Sequence, residues 1–534
     1  MAWNAPGDSA WLFKAAGANS RERLGRVLGL AERLSETRIP EVRDIVTSFE
    51  TLAVHFDPAD GERVLRWLQT VPPTVGETTP TNGRMIEIPV EYGGTCGPDL
   101  ISAAASLGIT PEKLVELHSE GQYTVAALGF SPGFPYLTGL PPHLELPRKT
   151  TPGRVAAGSV AIAGTQAGIY PGASQGGWHV IGRTSLKLFD PDAQEPSLLK
   201  AGDGVRFVRG TCDDAVLAAE PPQTGGLEVL DACGLTSVQD LGRPGFQHLG
   251  VSPGGAADPV MAAAANRLVG NPDEAAVLEC AMRGPLLKFH HPARVAWLGW
   301  NDEKGGRPEE LGAGAEIDLR RRTHSLRGYV AVAGGIDVPR VLGSRATDVR
   351  AGFGGLHGRI LRGGDRLPMG KPCAGPHAGD WHVNWPRAED GILEIRFLPG
   401  LQQSWFTEES LAAFRDRIYQ ISPMSDRTGV RLDGAVLERD ETSGMFSQPV
   451  VAGSVQVPPD GRPIVLMAER QTIGGYPQIA HVISADVPKL ARAWPGARLR
   501  FREVTLDEAR DAWRTSLRDP ALLRAGLALL AGPS

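Results

Sequence analysis

At 534 residues the chain is longer than one hydrophobic core supports, and ordinary domain sizes point to about three or four units. With 42% hydrophobic and 22% charged residues and a formal net charge of -6, it has the balance of a globular protein whose charges form a solvated surface, so neither nucleic acid nor a membrane is expected as a partner. Its 66 glycines and 43 prolines are spread along the whole length, which favours turn-rich β architecture over helical bundles.

The first ten residues lack the basic start and apolar stretch of a signal peptide, and no segment approaches a membrane span, so a cytoplasmic location is expected. Cys96, Cys212, Cys233, Cys280 and Cys373 show neither CxxC pairing nor metal-like spacing and read as reduced thiols, and no metal site is expected. Residues 10–70 read as strand, helix, two strands, helix: Leu24, Val27, Leu28, Ala31 and Leu34 fall at helical spacing, Leu52, Val54 and Phe56 alternate, and Gly61 to Gln69 is a second helix. The proline- and threonine-rich run from Val71 to Pro80 marks a boundary. Beyond it come a strand from Met85 to Val90, a helix opening at Gly97-Pro-Asp99, and another that Thr110 caps and Pro111 begins, ending near His118.

From Tyr123 to Arg183 the character changes. A strand-like run to Phe130 breaks into Ser131-Pro-Gly-Phe-Pro-Tyr-Leu-Thr-Gly-Leu-Pro-Pro142, an ordered aromatic loop in which no helix can form. The basic Pro147-Arg-Lys-Thr-Thr-Pro-Gly-Arg154 follows, then a strand from Val155 to Ala163 and two glycine-bounded turns. Cations, aromatics and backbone amides freed by glycine thus gather as they would around a planar or anionic small molecule. Leu128-Gly-Phe-Ser-Pro-Gly-Phe-Pro-Tyr-Leu137, Val155-Ala-Ala-Gly-Ser-Val-Ala-Ile162, Gly168-Ile-Tyr-Pro171 and Gly176-Gly-Trp178 resemble the signature of the B subunit of 5-oxoprolinase, a family also called allophanate hydrolase subunit 1 or the sporulation kinase-inhibitor family.

A second boundary, Ala218 to Gly226, precedes a partial repeat. Val155-Ala-Ala-Gly-Ser-Val160 recurs as Val450-Val-Ala-Gly-Ser-Val455, Gly176-Gly-Trp178 as Gly474-Gly-Tyr476, and Gly202-Asp-Gly-Val-Arg-Phe207 as Gly496-Ala-Arg-Leu-Arg-Phe501, at a nearly constant offset. Both halves are therefore expected to hold a barrel of the same kind. Asp258, Pro259 and Gly270 bound a helix with cap, first-turn proline and terminal glycine in place. Thr505-Leu-Asp-Glu508 is a capping box that opens a C-terminal helix interrupted by Pro520. Ser237-Val-Gln-Asp-Leu-Gly-Arg-Pro-Gly245, Gly250-Val-Ser-Pro-Gly-Gly-Ala-Ala-Asp258, Ala265-Asn-Arg-Leu-Val-Gly-Asn271 and Ala468-Glu-Arg-Gln-Thr-Ile-Gly-Gly-Tyr-Pro477 resemble the C subunit of 5-oxoprolinase, the biotin-dependent carboxyltransferase-like family.

The expected fold is mainly β with α+β parts: two cyclophilin-like β-barrel modules preceded by a small α/β N-terminal domain, as the resemblance implies. Residues 1–78 form that small domain, 79–217 the first barrel, 218–226 a linker and 227–534 the region resembling the C subunit, whose barrel is completed by about 390–505. Gly129-Phe-Ser-Pro-Gly133 fits the G-x-S-x-G pattern, but Pro132 and Pro135 deny Ser131 the strand-to-helix turn that a nucleophile needs. Gly364 to Pro372 is wrongly spaced for a phosphate loop and reads as a turn. His118, Arg148 and Lys149 are the candidate catalytic residues, His118 because it resembles the histidine ahead of the glycine-rich loop in the B family. Tyr136, Arg154, Gln166, Tyr170, Trp178 and Arg183 are candidates for binding substrate or nucleotide. In the second half Arg243, Asp258, Asn266, Arg427, Arg431, Arg470 and Gln471 join them, although for Asp258 a helix cap is already a complete explanation.

The resemblance implies the B and C part of an ATP-dependent 5-oxoprolinase, with ATP and Mg as co-substrate and a separate A subunit, of the lactam-utilisation family, as partner; self-association is left open. An alternative is a carboxyltransferase module acting on urea or a similar small amide with carboxybiotin, although no covalently attached biotin is expected, since the sequence has no Met-Lys-Met acceptor. A third is a non-enzymatic inhibitor of a histidine kinase, which needs no special residues.

Overall fold

The computed structural model describes residues 2–71, 83–212, 225–300, 305–372, 375, 381–383, 391–440 and 444–531. Most of the boundary after Val71, the linker up to position 224, and Cys373 lie outside these residues. The N-terminal unit is a four-stranded antiparallel sheet in the order Trp3–Asn4, Ala10–Lys14, Thr51–Phe56, Val42–Thr47, with helices Ser20–Glu36 and Gly61–Thr70. Asn19 starts the first of these helices by accepting the Glu22 amide at 2.9 Å. That helix then lays Val27, Leu30 and Leu34 onto Leu52 and Val54.

Two closed seven-stranded barrels follow, as expected, and they share one topology. In the first, Met85–Tyr92 runs parallel to Gly204–Arg209. The strands Tyr123–Leu128, Pro135–Thr138, Gln166–Ile169, Ser159–Ala163 and His179–Arg183 close the circle antiparallel. In the second, Ile392–Pro399 runs parallel to Arg498–Glu503, and Tyr419–Ile421, Gly429–Asp433, Ile464–Leu466, Ser454–Gln456 and Gln478–Val482 follow in the same cyclic order. Each barrel carries a two-stranded flap at the equivalent place, Gly153–Val155 with Ser174–Gly176 and Gln448–Pro449 with Ile473–Gly474. Sequence repeat and topology therefore agree block by block.

Between the barrels a five-stranded sheet has the order Leu235–Gln239, Val277–Arg283, Arg322–Val332, Ala293–Leu298, Glu309–Leu311, and a four-stranded sheet packs beside it. The helix Pro259–Leu268 begins as expected, with the Asp258 side chain accepting the Met261 amide at 3.0 Å.

Three local expectations change. The aromatic loop contains the strand Pro135–Thr138, because Pro135 takes the first strand position, where it is tolerated. The run from Val155 to Ala163 is two strands: Gly158, at φ +78°, turns the chain between flap and barrel. At the C-terminus the helix Leu506–Ser516 stops at Leu517, and Pro520 lies in the first turn of the next helix, Arg518–Ala531, where its missing N–H costs nothing. Among the described residues no helix is long and apolar enough to cross a membrane.

Candidate functional site

Strand alternation in the five-stranded sheet turns Leu235, Ser237, Glu279 and Ala281 toward the second barrel, and the gap between them is a cavity of about 770 Å³. Its far wall comes from Ile421 to Val430, Glu469, Leu490 and Trp494. Arg427 and Glu469 face one another because the ladder of Gly429–Asp433 with Ile464–Leu466 is extended by bonds from Met467 N to Thr428 O and from Glu469 N to Arg427 O, both 2.9 Å.

The floor is a buried charge network. Arg427 donates through Nε to Glu469 Oε1 at 2.5 Å, through Nη1 to Glu279 Oε1, and through Nη2 to Gly255 O at 2.6 Å. Arg327 Nε lies 3.2 Å from the same Glu279 oxygen, and its Nη1 donates to Ala491 O at 2.6 Å. Glu279 Oε2 accepts from Ala257 N and the Tyr329 hydroxyl, both at 2.8 Å. Burial pushes the Glu279 carboxyl up, but the Arg427 and Arg327 charges and these hydrogen bonds outweigh it and hold the group below its usual range. Glu469 moves the opposite way. Burial raises it, Arg427 pulls it down less than burial lifts it, and Asp348 adds repulsion. Arg427 itself gains more from two carboxylates than burial removes, so its guanidinium stays charged. Arg350 reaches the same cavity and has no acidic partner among the described residues.

The residues singled out from the sequence fall in different places, and only Arg427 among them lines this cavity. His118 is fully buried inside the first barrel against Tyr92, Tyr123 and Phe207. The Tyr92 hydroxyl meets its Nδ1 at 2.9 Å, and burial lowers its pKa to about 3, so it stays neutral and is shut off from any substrate. Tyr136, Tyr170 and Trp178 pack edge-on around Phe134, with Arg148 5.9 Å from the Trp178 ring centre. Lys149 is bound to Asp99 at 2.5 Å, Arg154 is exposed on the first flap, and Gln166 is half-buried in its strand. The Arg183 Nε donates to Cys212 Sγ at 3.1 Å. No disulfide joins any of Cys96, Cys212, Cys233 and Cys280.

Several second-half candidates are ties within the fold. Arg243 is buried on the Ala346 carbonyl and over Phe353, and Asn266 donates to Ala275 O at 2.7 Å. Asp258 caps its helix and lies 3.4 Å from Arg492 Nε, while burial raises its carboxyl. Arg470 donates to Gln247 Oε1 at 2.8 Å, and burial lowers it to about 10. Gln471 donates to Gln456 Oε1 at 3.2 Å, and Arg431 is exposed. Sequence reasoning passed over Glu279, Glu469, Arg327 and Arg350. The available signals were a lone charge in the apolar run Val277-Leu-Glu-Cys280 and the glutamate inside Ala468-Glu-Arg-Gln471.

The family model described as "Carboxyltransferase domain, subdomain C and D" matches residues 1–199, and the one described as "Carboxyltransferase domain, subdomain A and B" matches residues 249–503. The 5-oxoprolinase C subunit of Escherichia coli K12 is 38% identical over 300 residues, covering 53% of this chain and 93% of that protein. The 5-oxoprolinase B subunit of Escherichia coli O157:H7 is 44% identical over 197 residues, covering 35% of this chain and 87% of that protein. The chain belongs to the family of 5-oxoprolinase B and C subunits. It joins the two in one polypeptide, in the order B then C. The crystal structure of TTHA0988 superimposes with a TM-score of 0.81 at 34% identity over 92% of this chain and 99% of that one. Urea amidolyase of Saccharomyces cerevisiae is a weaker match, 26% identical over 52% of this chain and 16% of that protein.

Proposed function

We propose that the chain is the B/C component of an ATP-dependent 5-oxoprolinase, which opens 5-oxoproline to L-glutamate together with a separate A subunit, using Mg-ATP. The observation that carries this reading is the cavity of about 770 Å³ with apolar walls and a floor in which Arg427 is tied to two glutamates. A concave apolar pocket with a few convergent polar groups suits a small ligand, and this one has room for a five-membered lactam beside a phosphoryl group. A lactam is a poor electrophile; phosphorylation of its oxygen makes the ring carbon open to water, and cationic groups stabilise the charge that develops. Arg427 is engaged on all three nitrogens and acts as a fixed positive floor, whereas Arg350 is placed to hold an incoming carboxylate or phosphate.

The test is a coupled assay. The chain alone turns over little, and adding the A component, Mg-ATP and 5-oxoproline releases glutamate and ADP in step. ADP without glutamate, or no product from the complete mixture, sinks the proposal. The carboxyltransferase description of the matched domains favours one second reading, transfer from carboxybiotin to a small amide. Transfer that needs carboxybiotin but no A component would establish that reading instead.

A further inference from the structure

Two carboxylates enter the cavity from opposite walls and share one guanidinium, yet their surroundings separate them. Glu279 is bonded on both oxygens: Arg427 donates to Oε1, with the Arg327 charge 3.2 Å from the same atom, and Ala257 N and the Tyr329 hydroxyl donate to Oε2 at 2.8 Å each. Glu469, whose side chain is 7% exposed, receives Arg427 Nε on Oε1 at 2.5 Å. No donor meets its Oε2 among the described residues, although the residue lines the cavity. A buried carboxylate with one uncommitted oxygen beside a ligand-sized space is suited to move a proton; one bonded on both oxygens is suited to hold a neighbour in place.

We infer that Glu469 is the acid–base residue of this site and Glu279 the positioning residue that keeps Arg427 aimed at it, an inference that rests on the 5-oxoprolinase reading. In the step, Glu469 takes a proton from water as the water oxygen bonds to the ring carbonyl carbon. It returns that proton to the ring nitrogen as the C–N bond breaks. ATP supplies the activation by phosphorylating the lactam oxygen; C–N cleavage then leaves γ-glutamyl phosphate, whose acyl phosphate a second water hydrolyses, so lactam, ATP and two waters become glutamate, ADP and inorganic phosphate.

The two carboxyls are pushed apart in acidity, Glu279 below its usual range and Glu469 above, which is the pattern by which one site keeps an anion and a proton carrier side by side. The charged groups facing Glu469 are Arg427, Glu279, Asp348 and Arg243. Because the working form is the carboxylate, activity is expected to fall as pH falls through the raised Glu469 value.

The test uses the full chain reconstituted with the A component, Mg-ATP and 5-oxoproline. Glu469→Gln is expected to lower kcat by about 100-fold or more, the usual contribution of a positioned acid–base group, and to remove the acidic limb of the kcat/KM profile. Its Kd for 5-oxoproline, measured by calorimetry, should stay within about threefold of the unmodified chain, since ground-state binding does not use the proton. Glu469→Asp, a smaller perturbation should the glutamine variant fold poorly, should keep the limb and lose about tenfold in kcat through misplacement. A folded Glu469→Gln with undiminished kcat and the same acidic limb overturns the assignment, as does an unchanged kcat in Glu469→Asp. If the unmodified chain itself releases no glutamate in the complete mixture, the functional reading falls and the assignment with it, so the two failures are told apart.

Discussion

The Arg350 guanidinium lies 4.8 Å from the centre of the Phe130 ring, so a cavity-lining residue of the half that resembles the C subunit rests on the aromatic loop of the other half. Phe130 itself is held at φ +65°, a backbone state that L-residues seldom adopt, and one kept here because its ring packs against Phe134 and Tyr170. The first half thus helps to shape the site in the second. Arg350→Ala is expected to leave the melting temperature almost unchanged, because the side chain is exposed. It should raise KM for the anionic substrate or cut kcat/KM by about tenfold or more, the effect of losing a charge-assisted contact of about 1.5–3 kcal/mol. Steady-state kinetics beside a thermal melt checks both, and normal kcat/KM would place the anion elsewhere.

Asp44 is a buried polar tie between the halves. From the N-terminal sheet it accepts Gln247 N at 2.6 Å, His248 N at 3.2 Å and His248 Nδ1 at 2.9 Å. Removing it in Asp44→Ala strands those donors and should cost roughly 3 kcal/mol, read as a lower midpoint in urea. Burial raises the Asp44 carboxyl, but the hydrogen bond and charge of His248, with His55, leave it below its usual range. With a folded pKa below the unfolded value, its contribution is present above about pH 3.9 and is lost as pH falls through the folded value. We expect a chain divided between residues 218 and 226 to reassociate as two folded pieces, and Asp44→Ala to weaken that association. Sedimentation of the coexpressed halves measures it.

Gly129 has no room for a side chain. A Cβ there would lie 2.1 Å from Ile473 Cγ1, across the contact between the aromatic loop and the second flap. Gly129→Ala should therefore destabilise by about 1–3 kcal/mol, the cost of overpacking. Adding Ile473→Ala should recover part of the loss, giving a favourable coupling energy in a double-mutant cycle. Simple addition of the two effects would show that the halves do not touch here in solution.

Three buried histidines make the fold acid-sensitive. Burial holds His55 at about 4 and His118 and His481 at about 3, all neutral at pH 7. In the unfolded chain each titrates near its ordinary value of about 6.5, so stability is full above that pH and is lost as pH falls from there toward the folded values. Each histidine contributes a slope of about 1.4 kcal/mol per pH unit across this window. Denaturation midpoints between pH 7 and 5 should fall in step, and His118→Gln should make the fall shallower. Equal slopes would mean that His118 reaches water in the folded state.

Elements with local causes were legible in the chain before any fold was known. Thr110 with Pro111, Asp258 with Pro259 and the Thr505–Glu508 box start helices because side chain and amide lie within a few residues of each other. The repeated Gly-Ser-Val and Gly-Gly blocks foretold two barrels of one topology, because each block marks the same turn in both copies. The chemistry of the site, by contrast, was set by folding. His118 sits in the last turn of its helix, where the sequence placed it, but whether an imidazole is wet or buried depends on Tyr92 and Phe207, which arrive from other strands. Glu279 and Glu469 come from distant parts of the chain, and nothing near either in sequence says that they meet through Arg427. Their opposite shifts come from desolvation and Coulomb forces, which depend on distance in space and not on position in the sequence.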